Sequence, residues 1–217
     1  MSTALQAQIV ATIYQETQRR FSELDDPAHG WEHVRRVYNQ ALYIAEQEGA
    51  DIFIVEIAAL LHDIGRLVPK KGRPHAELSV EEASKLLSTY DLERTQIKAI
   101  LHAIEAHSYS KGIDPQTLEA RVVRDADRLD GLGAVGIMRW AITGTMKRKR
   151  QTQSYHPEDP FARWHELDDR VYMLDHFYTK LLKLEEGMST DTGRALATRR
   201  SAYMRDYLQE FKMELGL

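Results

Sequence analysis

Apolar residues recur along this chain at spacings of three and four, and no stretch alternates well enough to predict a strand. Leu5, Ile9, Ile13 and Phe21 place one stripe on a first amphipathic helix. Val34, Val37, Tyr38, Ala41 and Ala45 place another on a second, which should stop near Gly49. Asp51 can cap a third helix whose body, IFIVEIAALL, is apolar on most faces and so belongs at the centre of the fold. Gly65 reads as its stop, Pro69, Gly72 and Pro74 as a loop, and Ser79 with Glu82 as a capping box for the next helix. A helix over about Leu92 to His107 precedes a turn at GIDP, then comes one carrying Val122, Val123, Ala126 and Leu129. Gly131, Gly133 and Gly136 imply a break or close packing. From Gln151, QTQSYHPEDP reads as a loop, and two long helices are predicted over about Leu167 to Leu184 and Thr192 to Leu215. With no repeat and no low-complexity linker, the pattern predicts an all-α protein, a single helical domain over residues 1–217.

Composition narrows the chemistry. A chain of 217 residues can bury roughly 70% of its unfolded surface, enough for a sizeable core. The balance of 43% hydrophobic and 29% charged residues is that of a soluble globular protein; no apolar run would span a bilayer and no secretory signal opens the chain, so the expected address is the cytoplasm. There is no cysteine, so a metal would have to be held by His, Asp or Glu. A net charge of −4 gives no general attraction to nucleic acid, and Lys147 to Arg150 (KRKR) reads as a solvated face or loop.

Three stretches put polar side chains where the pattern demands burial. His62 and Asp63 end the most apolar helix; His29 and His33 bracket a helix start in DDPAHGWEHVRRV; Asp125, Asp127 and Asp130 crowd VVRDADRLDGLGAVG. Unpaired, such groups cost several kcal/mol each, on the order of the penalty for a buried charge. Two imidazoles and two carboxylates converging on a divalent cation would remove that penalty, and mixed nitrogen and oxygen ligation suits Mn, Fe, Co, Ni or Zn better than Mg. Four protein ligands on an octahedral ion leave positions for water and substrate, as hydrolysis requires. The three aspartates compete for the last position.

His33, the pair His62-Asp63 and a later aspartate in DADRLD resemble the motif of the HD-domain metal-dependent phosphohydrolases. AALLHDIG, VVRDADRLDGLGAVGIMR and HFYTKLLKLEEGMSTDTGRALATRR are similar to the small stand-alone bacterial members, so the resemblance spans roughly residues 22–212. It implies a helical bundle with a metal-binding core over residues 22–135 and C-terminal helices, residues 160–217, packed on it. It also implies metal ligation by His33, His62, Asp63 and Asp127, and hydrolysis of phosphate esters or anhydrides, frequently in nucleotides. Asp63 would then be catalytic as well as a ligand, and Asp130, one turn after Asp127, would position water.

Around that motif, Arg66, Lys70, Lys71 and Arg73 concentrate positive charge suited to phosphates. Arg66 stands where many relatives carry an acid, a departure that bears on substrate choice. His29 and His107 are expected to contact phosphate or to back the metal ligands, with His107 a candidate catalytic group, His75 with His102 or His107 could hold a second ion, and Glu32 is a candidate general acid or base. The expected partner is a phosphorylated small molecule, which the resemblance implies to be a nucleotide, cleaved to release phosphate or pyrophosphate. The alternatives are a cyclic mono- or dinucleotide phosphodiesterase, suggested by HDIG but without a downstream GYP, and a noncatalytic metal-bound ligand sensor. No membrane or nucleic-acid partner is expected, and the C-terminal helices leave room for a homo-oligomer.

Overall fold

The helix-forming pattern resolves, in the computed structural model, into nine α-helices among the described residues, which are 2–69, 72–108, 112–146 and 152–217. They are α1 (Thr3–Phe21), α2 (Trp31–Glu48), α3 (Ile52–Leu61), α4 (His75–Leu87), α5 (Arg94–Ala106), α6 (Leu118–Leu129), α7 (Gly133–Met146), the single turn α8 (His176–Thr179) and α9 (Asp191–Glu214). Among these residues no strand forms; one isolated bridge joins Gln153 and Tyr172. No helix among them is long and apolar enough to cross a membrane. The run at Lys147 to Arg150 and the pair Lys70 and Lys71 lie outside the described residues.

Two compact units divide the chain. The first comprises Met1–Asp127 and Ser189–Gly193. At its centre is α3, with Val55, Ile57, Ala58, Ala59, Leu60 and Leu61 all fully buried and α1, α2 and α5 packed around it. Asp51 caps α3 by accepting from the Ile54 amide, and Gly49 ends α2 in the left-handed region that a glycine enters without strain. Gly65, expected as a stop, has another task. The helix ends at His62, and Gly65 sits inside a one-turn 3₁₀ helix (Ile64–Leu67) against which α4 packs. A Cβ on Gly65 would lie 2.3 Å from the His75 carbonyl oxygen and 2.4 Å from the Ser79 amide nitrogen. Ser79, expected as a cap, lies inside α4, where its hydroxyl accepts from the Gly65 amide at 2.9 Å. The capping box belongs instead to Glu93 and Gln96 at the start of α5.

The second unit comprises Arg128–Met188 and Arg194–Leu217. The glycines expected to break the chain do so only briefly, between α6 and α7: Gly133 has φ 71°, and a Cβ on Gly136 would lie 2.3 Å from the Gly131 carbonyl oxygen. The helix predicted over 167–184 is replaced by turns, short 3₁₀ segments and α8. Carboxylates capture the backbone at its start, Asp175 accepting from the amide of Asp168 and Asp168 from that of Arg170, and just before it, where Asp159 accepts from the amides of Arg163, Trp164 and His165. Side-chain acceptors of this kind compete with the helical ladder. His165 bridges two of these carboxylates, 2.9 Å from Asp159 and 3.0 Å from Asp175.

Candidate metal centre

The first unit delivers its polar side chains from five helix ends to one place. Val34 and Val37 bury one face of α2 and carry His33, in its first turn, inward. His62 caps the C-terminus of α3, and Asp63 follows at φ −109° and ψ 8°, in the sparsely populated bridge region that frees the chain from the helix. The close approach permitted by Gly65 brings His75, at the start of α4, beside Asp63. His107 caps the end of α5, and Asp127 sits in the last turn of α6.

The donor atoms form two groups, each with its members within 4.8 Å of one another: His33, His62 and Asp127, and Asp63, His75 and His107. Asp63 joins them. Its Oδ2 lies 3.6 Å from His33 Nε2 and 3.7 Å from His62 Nε2, while its Oδ1 lies 3.5 Å from His75 Nε2 and 3.8 Å from His107 Nε2. The two motif imidazoles meet at 3.2 Å through Nε2, and Asp127 Oδ1 is 3.5 Å from one and 3.9 Å from the other. Ligands about 2.1 Å from a cation stand about 3.0 Å apart at right angles and about 3.4 Å apart at tetrahedral angles, close to these spacings.

Tautomers point the same way. His62 Nδ1 donates to the Ala59 carbonyl at 2.8 Å and His107 Nδ1 to the Ile104 carbonyl at 2.5 Å, which leaves each Nε2 lone pair facing the cluster while the ring is neutral. Burial pushes His62 and His75 down to about 4, so both are neutral near pH 7. Burial pushes the Asp63 carboxyl up, but Arg66, His62, His33 and His107 outweigh it and hold the group well below its ordinary range. Asp127 is likewise lowered, burial being outweighed by His62, His33 and His107. Oδ1 of Asp63 is nevertheless buried without a hydrogen-bond partner, an arrangement that costs about 1–3 kcal/mol unless something is bound. The donor set and this orphaned oxygen fit a divalent cation.

Other expected residues fall differently. Arg66 donates through Nε to Asp63 Oδ2 at 2.5 Å. Arg73 is exposed and bonds Glu81. His102 accepts from the Gln116 amide at 2.9 Å, so of the histidines expected beside His75 it is His107 that joins the cluster. Glu32 is exposed and bonds Arg35 at 2.7 Å. Asp130 belongs to the second unit, buried and 3.1 Å from Arg139 Nη1. Asp125, one of the three competing aspartates, is fully buried and accepts from the amides of Ser189 and Thr190, fixing that segment against α6. His29 lies with its ring 6.1 Å from that of His33, and its Nδ1 donates to Asp26 Oδ2 at 2.9 Å. Sequence reasoning passed over Asp26; its place three residues before His29 was the available signal.

The family model for the HD domain matches residues 30–132. The uncharacterized protein YpgQ of Bacillus subtilis (strain 168) is 34% identical over 197 residues, which cover 88% of this chain and 86% of that one. Its crystal structure in complex with ADP superposes with a TM-score of 0.75 at 33% identity, covering 96% of each chain. An HD-superfamily hydrolase from Bacillus thuringiensis superposes equally well, with a TM-score of 0.75 at 30% identity over 97% of this chain and 98% of that one. The chain belongs to the HD-domain family, among the small stand-alone HD-superfamily hydrolases.

Proposed function

We propose that the protein is a metal-dependent phosphohydrolase that cleaves phosphate ester or anhydride bonds of nucleotides, as a nucleotidase or as a pyrophosphohydrolase of nucleoside triphosphates. The observation that carries this reading is the position of Asp63, whose two oxygens face two separate pairs of imidazole nitrogens. His33, His62, Asp63 and Asp127 would hold the cation. When bound, the ion polarises a phosphoryl oxygen and lowers the pKa of water. Around it, Arg66 and the Asp26-backed His29 are the groups suited to phosphate oxygens. The ADP complex of YpgQ supports a nucleotide as the ligand. Arg73, engaged by Glu81, drops out of the expected phosphate contacts.

A second cation is favoured by the orphaned Asp63 Oδ1 and its neighbours His75 and His107. Metal analysis after dialysis distinguishes the cases: two ions per chain in the wild type falling to one in His75→Gln supports it, and one ion in both excludes it.

Turnover should be screened with ribo- and deoxynucleotides, cyclic forms included, in Mn, Co, Ni and Mg, reading phosphate and pyrophosphate separately. No turnover with any metal overturns the enzyme reading and leaves the ligand sensor. Asp63→Ala should lose both bound metal and activity, and full activity in that variant removes Asp63 from the site.

A further inference from the structure

Asp63 Oδ2 is claimed twice. It accepts from Arg66 Nε at 2.5 Å, and it is also the oxygen that faces His33 Nε2 and His62 Nε2 among the candidate metal donors. Asp63 itself is shut away from solvent, with 2% of its side chain exposed, whereas Arg66 keeps 19% and so has a path outward. The Arg66 amide donates to the Asp63 carbonyl at 2.9 Å, which anchors the backbone of the 3₁₀ turn whatever the guanidinium does. A buried carboxylate needs a positive partner, and a guanidinium and a divalent ion on one oxygen repel each other. An acid at position 66 would meet Asp63 with like charge; the arginine does the reverse.

We propose that Arg66 is the counter-cation that Asp63 holds before metal arrives, and that binding of a divalent ion releases its guanidinium to take a phosphate oxygen of the substrate. Phosphate affinity is thereby coupled to metal occupancy, and the order of binding is metal first. The coupling is reciprocal, so phosphate also tightens the metal. This inference rests on the metal-centre reading above and adds an exchange to it.

The test uses the full chain and needs no turnover. In the ¹⁵N-labelled wild type, the Arg66 Nε–H resonance should start at a strongly hydrogen-bonded position and move toward that of free arginine as Zn²⁺ is added; a resonance that stays in place with Zn²⁺ bound overturns the exchange. By calorimetry, Arg66→Met should bind Mn²⁺ severalfold tighter than wild type, having lost the competing cation. Equal or weaker Mn²⁺ binding in that variant overturns the proposal. Inorganic phosphate should bind the Mn²⁺-loaded wild type and hardly at all the metal-free protein, and the loaded Arg66→Met about tenfold more weakly, the scale of one lost charge-assisted contact. Equal phosphate affinity with and without metal also overturns it. If Arg66→Met does not fold, the resonance of the wild type decides alone. Wild type that binds no divalent ion overturns the metal centre and the exchange together, whereas normal metal binding with an unmoved Arg66 signal overturns only the exchange.

Discussion

Asp127 and Asp130 stand three residues apart on neighbouring turns, and their partners separate them. Asp127 Oδ1 lies 3.5 Å from His33 Nε2, whereas Asp130 is 3.1 Å from Arg139. Asp127→Asn should therefore weaken Mn²⁺ binding at least about tenfold, as loss of an oriented ligand does. Asp130→Asn should leave that affinity nearly unchanged and cost about 1–3 kcal/mol of stability from the weakened buried pair. Calorimetric Mn²⁺ titration beside chemical denaturation checks both, and a Mn²⁺ site lost in Asp130→Asn would reverse the assignment. From the sequence, only the family motif favoured Asp127 over Asp130, which lies one turn later on nearly the same face. What divides the three aspartates lies on other elements: Arg139 for Asp130, and the Ser189 and Thr190 amides for Asp125. The motif histidines were easier to find, because His62 interrupts an apolar run and His33 shares the buried face of its helix with Val34 and Val37, where burial penalises a polar group.

At the scale of elements, the geometry around Asp63 depends on how closely α4 approaches the 3₁₀ turn. Gly65→Ala puts a methyl 2.3 Å from the His75 carbonyl oxygen, so α4 must shift and carry His75 away from Asp63. Overpacking of that kind costs about 1–3 kcal/mol or more. Ser79→Ala leaves the buried Gly65 amide without its acceptor, a loss of about 1–3 kcal/mol. Thermal unfolding of both variants checks the costs, and a Gly65→Ala protein as stable as wild type would show that the backbones do not meet as described. This contact was invisible in the sequence. Glycine after an apolar helix also signals a stop, and serine three residues before glutamate also signals a cap, so local rules assigned both residues to the wrong task. Long amphipathic helices such as α1, α2 and α9 were legible because burial enforces their period. The segment after Leu167 was not, because its apolar spacing suits a helix while its first amides are taken by the carboxylates of Asp175 and Asp168.

For the whole molecule, ligand binding and protonation should act on stability through separate groups. A metal that binds only the folded chain stabilises it by about 2.7 kcal/mol at a hundred times its dissociation constant. Mn²⁺ should therefore raise the unfolding midpoint of the wild type and leave that of Asp63→Ala unmoved. The His165 cluster sets a different dependence. Burial pushes the His165 imidazole down, but its bonds to Asp159 and Asp175 outweigh this and raise it above its ordinary value. Burial pushes Asp159 up, but the amides of Trp164, His165 and Arg163 and the His165 ring outweigh it and lower the carboxyl well below its usual range. A raised histidine contributes its full stability below the unfolded value of about 6.5 and loses it as pH rises through the folded value. A lowered aspartate contributes above about 3.9 and loses stability as pH falls through its folded value. The cluster is thus strongest between about pH 4 and 6.5, and the gap in melting temperature between wild type and His165→Gln should be widest near pH 5–6 and narrow toward pH 9. The Mn²⁺ increment should be the same in both proteins, since the cation donors do not include His165. A gap that does not change with pH would mean that His165 acts by packing against His156, whose ring stacks on it at 4.5 Å, and not through its charge.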